Sequence, residues 1–464
     1  METQDDEEDQ VIQQEPLLDK KEVDQNKNSN KMKKIIYFSL LIGSILILTA
    51  IVIILILTYG KNSDSENPKT NILKATYNVS DDETEVKLFT YHYITMFSSL
   101  IIDNKIIYLD DFDSNIYLFK KAGEHTVEYH LYNNLSTLED FFNECNYLTY
   151  ADLSHLVTKN VNSTANMFYK CESLLSVNIK DFDTREVKNM SNMFYGCSNL
   201  ASIDLSDLDT KNVLNMSNLF NGCLKLQNVK LNGLDARNVE DMHDMFSSCA
   251  ELKKLEIKKF KTLNVENMSR MFYRCFSLKS LDLSSFSTKK VSNMGGMFQF
   301  CKNLTSVNIK SFDTSQVTDM NNMFYACQSL DSLDLINFNT EHVSNMANMF
   351  NGCFSLRDLN LKAFNTTNVE EMGMMFYGCQ KMAEFNISNF NTKNVVNMGG
   401  LFGKCLSLGK IDIRNFNSKK LAYKTNLFNE IAGNGEIYYN SEIFNETLLD
   451  FSIIKDWKKI DVSN

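Results

Sequence analysis

The chain has 464 residues, enough for more than one domain, and a formal net charge of -11. That charge argues against a nucleic-acid partner, because phosphate recognition needs a basic face. No G-x-S-x-G, P-loop, H-E-x-x-H or dinucleotide fingerprint occurs, so the sequence points away from an enzyme and from any bound cofactor.

Residues 1–34 open with ten acidic side chains against three lysines before Lys31, and no aromatic residue. Such a segment cannot bury enough apolar surface to fold, so a disordered acidic tail is expected, ending in basic residues beside the membrane. Residues 35–60 follow, with no charge from Ile35 to Tyr59. At roughly 1.5 Å rise per residue a helix of this length exceeds the roughly 30 Å hydrocarbon core, which predicts a transmembrane helix that anchors the chain. The stretch is too long and too far from Met1 for an ordinary cleaved signal peptide. Lys31, Lys33 and Lys34 precede it and only Lys61 closely follows. The positive-inside rule therefore puts the N-terminus in the cytoplasm and everything after Gly60 outside the cell or in a lumen. Residues 61–84 read as a polar stalk. Residues 85–140 hold apolar runs at Lys105–Leu109, Asn115–Phe119 and Thr126–His130 between turn dipeptides, which predicts a β-rich N-terminal cap.

From residue 141 to 431 one pattern repeats. All eleven cysteines, Cys145 to Cys405, stand 26 residues apart, inside the period of about 20–29 residues typical of leucine-rich repeats. Three residues before each cysteine is Phe, from Phe142 to Phe402; four before is Met or Leu, apart from Phe141; seven before is Met from Met190 to Met398. These offsets fit one face of a short helix. Asn189, Asn215, Asp241 and their counterparts precede that Met, as N-caps would. After the cysteine come apolar residues at three, six and eight, such as Leu200, Ile203 and Leu205. The last two share one face of a strand. An apolar residue at eleven, usually Thr at thirteen, and Val at sixteen complete the coil. No single coil can bury its own apolar face, so neighbours must stack. Phe428 and Ile431 take the register of Phe and Cys in a last coil. Residues 432–464, with Gly435–Tyr439 and the only tryptophan, Trp457, are expected to form a C-terminal cap.

The unit MFxxCxxLxxLxLxxFxTxxVxNM, clearest from Asn189 to Val213, resembles the BspA-like leucine-rich repeats of microbial surface proteins over roughly Phe141 to Phe428. The expected architecture is an α/β repeat solenoid of short strands and short helices, capped at both ends. The resemblance implies in addition a right-handed coil, display at a cell surface, and roles in adhesion and in contact with host or matrix. It carries over no catalytic residues.

The cysteine rows invite a disulfide model, but helices packed roughly 8–10 Å apart would hold the Cα atoms beyond the roughly 7 Å a disulfide allows. Buried, reduced thiols acting as small hydrophobes are expected instead. Zinc is not expected, since no C-x-x-C pair occurs. Seven residues after each cysteine lies an outward strand position, and Asp152, Asp204, Glu256, Asp282, Asp334 and Asp412 stand there. They make a candidate binding stripe for a protein, a glycan or a divalent cation, with a protein or glycan ligand preferred because no EF-hand loop is present; the alternative is a solvated sheet whose carboxylates only keep it soluble. Of the N-x-S/T sequons, Asn78, Asn134 and Asn445 are the candidate glycosylation sites, because Asn189, Asn215 and Asn267 serve better as caps. The expected function is surface recognition or adhesion, with a structural coat or secretory-pathway glycoprotein as the alternative.

Overall fold

The computed structural model describes residues 71–108, 114–133, 135–257, 260–444 and 453–463. They belong to one compact unit, Lys69–Asn464. The expected tail and membrane span at residues 1–60 lie outside the described residues, as do Asn134 and Asn445. No helix among the described residues is long and apolar enough to cross a membrane.

The N-terminal part is β-rich, as its alternating apolar pattern predicts. Its strands are β1 (Ile72–Val79), β2 (Thr84–Lys87), β3 (Phe97–Ile102), β4 (Lys105–Ile107), β5 (Ile116–Phe119) and β6 (Gly123–Leu131), with a 3-10 turn at Tyr91–Met96. The expected stalk at 61–84 is overturned over its second half. Leu73, Ala75, Tyr77 and Val79 alternate along β1 and are buried, so this polar-looking segment is a central strand. It pairs antiparallel with β6 on one side and with β7 (Leu148–Asp152) on the other. Tyr77 and Tyr129 meet beneath it with hydroxyls 2.7 Å apart, and both lie within hydrogen-bond reach of the Leu88 carbonyl. Through β7 the cap sheet runs into the solenoid, because β7 pairs parallel with β8 (Ser176–Asn178). The solenoid's first edge is thereby covered, as an exposed strand row requires.

Each coil then contributes one short strand: β9 (Ser202–Asp204), β10 (Asn228–Lys230), β11 (Lys254–Glu256), β12 (Ser280–Asp282), β13 (Ser306–Asn308), β14 (Ser332–Leu333), β15 (Asp358–Leu359), β16 (Glu384–Phe385) and β17 (Lys410–Asp412). Pairing is parallel and in register, with Val229 between Ile203 and Leu255. Two further parallel strands, β18 (Glu436–Tyr439) and β19 (Lys458–Asp461), extend the last sheet. From β7 to β18 the molecule is a β-solenoid of about twelve turns.

The expected short helices are absent from the described coils. The segment ahead of each cysteine is a run of tight turns. In the coil of Cys197, the N–H groups of Met193, Tyr195 and Cys197 bond to carbonyls three residues back. Those of Asn192, Phe194 and Gly196 cross to Ser217, Leu219 and Asn221 of the next coil. An α-helix would close every N–H onto the residue four before it. Here alternate bonds serve the stack, and Asn192 (φ 55°) and Gly196 (φ 71°) turn the chain into the left-handed region that interrupts a right-handed helix. Asn189 is accordingly no helix cap. Its Oδ1 accepts the Ser191 N–H at 3.0 Å and opens the turn run.

The inward face is as the offsets predict. Phe142 to Phe428 stack ring on ring through all twelve coils, with centroids 5.3–5.9 Å apart. Every cysteine is buried and free. From Cys171 to Cys405 each thiol donates to the carbonyl of the Phe 29 residues earlier, at 3.0–3.4 Å. The coils therefore stack closer than packed helices, and the separation argument against disulfides does not hold. The thiols are instead fixed by these bonds, and burial pushes them up, that of Cys301 to about 12. Alkylation of the native chain near neutral pH should accordingly be negligible. After unfolding without reductant, mass spectrometry should find all eleven cysteines modified; a shortfall that reductant restores would mean disulfides.

A second buried row closes the coils. Thr288 Oγ1 donates to the Asp313 carbonyl and accepts the Asp313 N–H, both at 2.8 Å, and the side chain is fully buried. Thr262 and Thr366 do the same in their coils. Thr288→Val keeps the shape but orphans both backbone groups, so it should destabilise by about 1–3 kcal/mol in urea unfolding. An unchanged midpoint would mean the ladder is incidental.

At the far end Phe428 continues the ring stack and Ile431 is partly buried in the place of a cysteine. Trp457, 4% exposed, sits over the last coils with its Nε1–H on the Ala432 carbonyl at 2.9 Å.

Candidate functional site

The outward strand row is where the sequence puts it, but its carboxylates are already engaged. Asp152, Asp204, Asp282, Asp334 and Asp412 each accept the backbone N–H two residues on, at 3.0–3.3 Å. Asp at this position thus ends the strand by closing a local turn. Neighbouring coils neutralise the row further. Lys230 reaches Asp204 at 3.0 Å, and Asn308 Nδ2 donates to Asp282 at 2.9 Å. Glu256 pairs with Lys254 at 2.5 Å, and Asp412 holds Arg414 through two guanidinium nitrogens. The Ser206 hydrogen bond and then Lys230 hold the Asp204 carboxyl below its ordinary range; Lys254 does the same for Glu256. This face also holds a depression of about 430 Å³ over Asp282, Asn308, Lys310 and Asp334.

Asp282→Ala should therefore cost about 0.5–2 kcal/mol, as losing a capping carboxylate does, rather than the few tenths of a solvated side chain. A urea midpoint within error of the parent would return the row to mere solvation.

A second surface escapes sequence reasoning. Six residues before each cysteine the turn run carries mostly small side chains: Ala165, Ser191, Ser217, Ser269, Gly295, Ala347, Gly373 and Gly399. Five of them, Ser269, Gly295, Ala347, Gly373 and Gly399, line two depressions on the turn face. One, of about 390 Å³, lies between Arg270, Asn293, Asp319 and Asn322. The other, of about 410 Å³, lies between Asn348, Tyr377, Asn397, Tyr423 and Asn426. His243 stands at the same position, held to Asp241 Oδ1 at 2.8 Å, and Asn321 bonds Asp319. The signal that could have revealed this face is the run of small residues at one register position, which a helical reading treats as incidental.

Among the described residues no group of three or more His, Cys, Asp or Glu side chains could hold a metal ion. Asn78 lies exposed on β1 rather than in a stalk, its backbone paired with Glu124.

No curated protein matches the chain. Among solved structures it is similar to a leucine-rich cell surface protein from Faecalibacterium prausnitzii A2-165, at 15% identity over 58% of this chain and 84% of that one, with a TM-score of 0.24. It is also similar to a chain of the TLR13–ssRNA13 complex, at 14% identity over 66% of this chain and 53% of that one, TM-score 0.21. A third is the functional domain of InlJ from Listeria monocytogenes, described as including a cysteine ladder, at 13% identity over 66% and 64%, TM-score 0.17. The family model described as "Mycoplasma protein of unknown function, DUF285" matches residues 136–255, 248–362 and 352–448. These three matches adjoin without a gap over more than half of the sequence, along the whole run of coils, and the chain belongs to the DUF285 family.

Proposed function

We propose that this protein is a membrane-anchored recognition protein that holds a macromolecular partner, a protein or a glycan, along its solenoid, in the manner of BspA-like surface proteins. The observation that supports this most is register. Because each coil repeats the last, every outward position becomes a row, and a partner laid on a row touches several coils at once. Weak contacts then add, and no single residue need dominate. The uncharged run Ile35–Tyr59 supplies the anchor, and the lysines before it keep the N-terminus in the cytoplasm.

The structural-coat alternative has one observation in its favour, the internal satisfaction of the strand-face carboxylates. Intact cells separate the two readings. External protease should remove an epitope tag at Asn464 and spare one at Met1, and the purified full-length chain should bind cell surfaces saturably. Loss of the Met1 tag would reverse the topology. A correctly placed chain with no saturable binding would leave the coat reading.

A further inference from the structure

The depression beside Tyr377 and Tyr423 differs from the rest of the turn face. In nine earlier coils the position of Tyr423 is held by Asn, Asp or Glu, as at Asn293, Asp319 and Glu371; here it is an aromatic ring, 65% exposed. Glycines clear the space around it. Gly373 and Gly399 leave the floor bare, and a Cβ at Gly373 would press the Asn397 amide at 3.0 Å. At Gly403 a Cβ would fall 2.7 Å from the Tyr377 ring, so glycine there lets the ring lie against the backbone.

The lining bears no charged residue, in a chain of which 23% is charged. Its polar side-chain groups are the amides of four asparagines and the hydroxyls of Tyr377, Tyr423 and Thr425. Asn397 Oδ1 accepts the Gly399 N–H and Asn348 Oδ1 accepts from Asn351. Both asparagines line the depression together with Thr425, Asn426 and Asn429. Ring faces, amide donors and acceptors, and no charge suit a ligand that is itself uncharged, with one apolar C–H face and hydroxyls around its rim. A pyranose has that form: its C–H groups meet the electron-rich face of a tyrosine while its hydroxyls pair with amides. The volume of about 410 Å³ lies within the roughly 300–1,000 Å³ of small-ligand sites.

We infer that this depression is a subsite for neutral carbohydrate, gripped between Tyr377, Tyr423 and the asparagines, an inference that rests on the recognition reading above. Lys404, whose ammonium lies 5.9 Å from the Tyr377 ring centroid, pairs with Glu430 at 3.8 Å and is outside the lining. Acidic sugars are therefore not the expected ligand.

The test uses the full-length chain on an array of neutral gluco-, galacto-, manno- and N-acetylhexosamine oligosaccharides, with sialylated and sulfated sugars and a panel of immobilised proteins alongside. At least one neutral series should be retained. Tyr423→Ala should weaken that retention by about tenfold or more, and Tyr423→Phe should keep it. Gly399→Asn should block the floor; Asn321 occupies that same place in another coil, so the fold should accept it, which an unchanged unfolding midpoint verifies. Retention of acidic sugars alone, or neutral-sugar binding indifferent to Tyr423→Ala and Gly399→Asn, would overturn the inference. Binding to proteins with no sugar retained would sink this inference and leave the recognition reading standing. No binding to anything would end both.

Discussion

Phe298→Ala is expected to destabilise the chain by about 3–5 kcal/mol, the range for truncating a buried phenylalanine. Its ring is fully buried, 5.7 Å from Phe272 and 5.3 Å from Phe324 by centroids. The backbone around it is tied to both neighbours, with the Phe298 N–H on the Met323 carbonyl of the next coil and the Phe272 N–H of the coil before on the Met297 carbonyl. The surroundings therefore cannot readily collapse into the space left behind. In a solenoid each coil touches only the next, so the cavity weakens two interfaces at once. Urea unfolding of Phe298→Ala beside Asp282→Ala checks this. Equal losses would mean that the inward and outward faces are wrongly assigned.

Trp457→Ala should also cost about 3–5 kcal/mol, but through a different route. Trp457 covers the open end of the stack and holds the Ala432 carbonyl. Its ring lies close against Gly435, where a Cβ would fall 3.0 Å from the indole. Without it the last coils lose their lid, and a solenoid needs its terminal coils capped. The loss should show in circular-dichroism melts, and amide exchange should quicken first around Phe428 and Ile437 rather than around Phe298. Uniform exchange along all coils would contradict the capping role.

Much of this architecture was legible in residues alone. Eleven cysteines at one spacing fixed the period, and the buried Phe, Met and Leu rows followed from it. Ile203 and Leu205, six and eight after Cys197, correctly marked a strand, because side chains alternate there with a period of two. The helix was misread for a physical reason. Offsets of three, four and seven fit a helix, but they also fit consecutive tight turns of three or four residues. The distinguishing sign was present in the left-handed-tolerant residues one and five before the cysteine, such as Gly196, Gly222 and Gly352, and Asn192, Asn218 and Asn348. The stalk was misread because composition outweighed alternation at Ile72–Val79. The acidic row was correctly called outward. Its engagement was hidden, since a turn closed by a carboxylate and a cross-coil lysine are visible only once coils are stacked. The groove beside Tyr423 was missed with the helix, whose surface would have spread the small residues differently.

The central claim is that one 26-residue coil, stacked in register, builds the recognition surface. Excision of a whole coil tests it most directly. Removing residues 301–326 joins Phe300 to Cys327 and keeps every row aligned. The shortened full-length chain should unfold cooperatively, with stability lowered by one coil's share, and should keep the groove between Tyr377 and Tyr423 with its ligand binding. Removing half that length from the same point should abolish folding, because it sets turns against strands. If the whole-coil and half-coil deletions are equally damaging, the stack is not a register of equivalent coils, and the account is wrong.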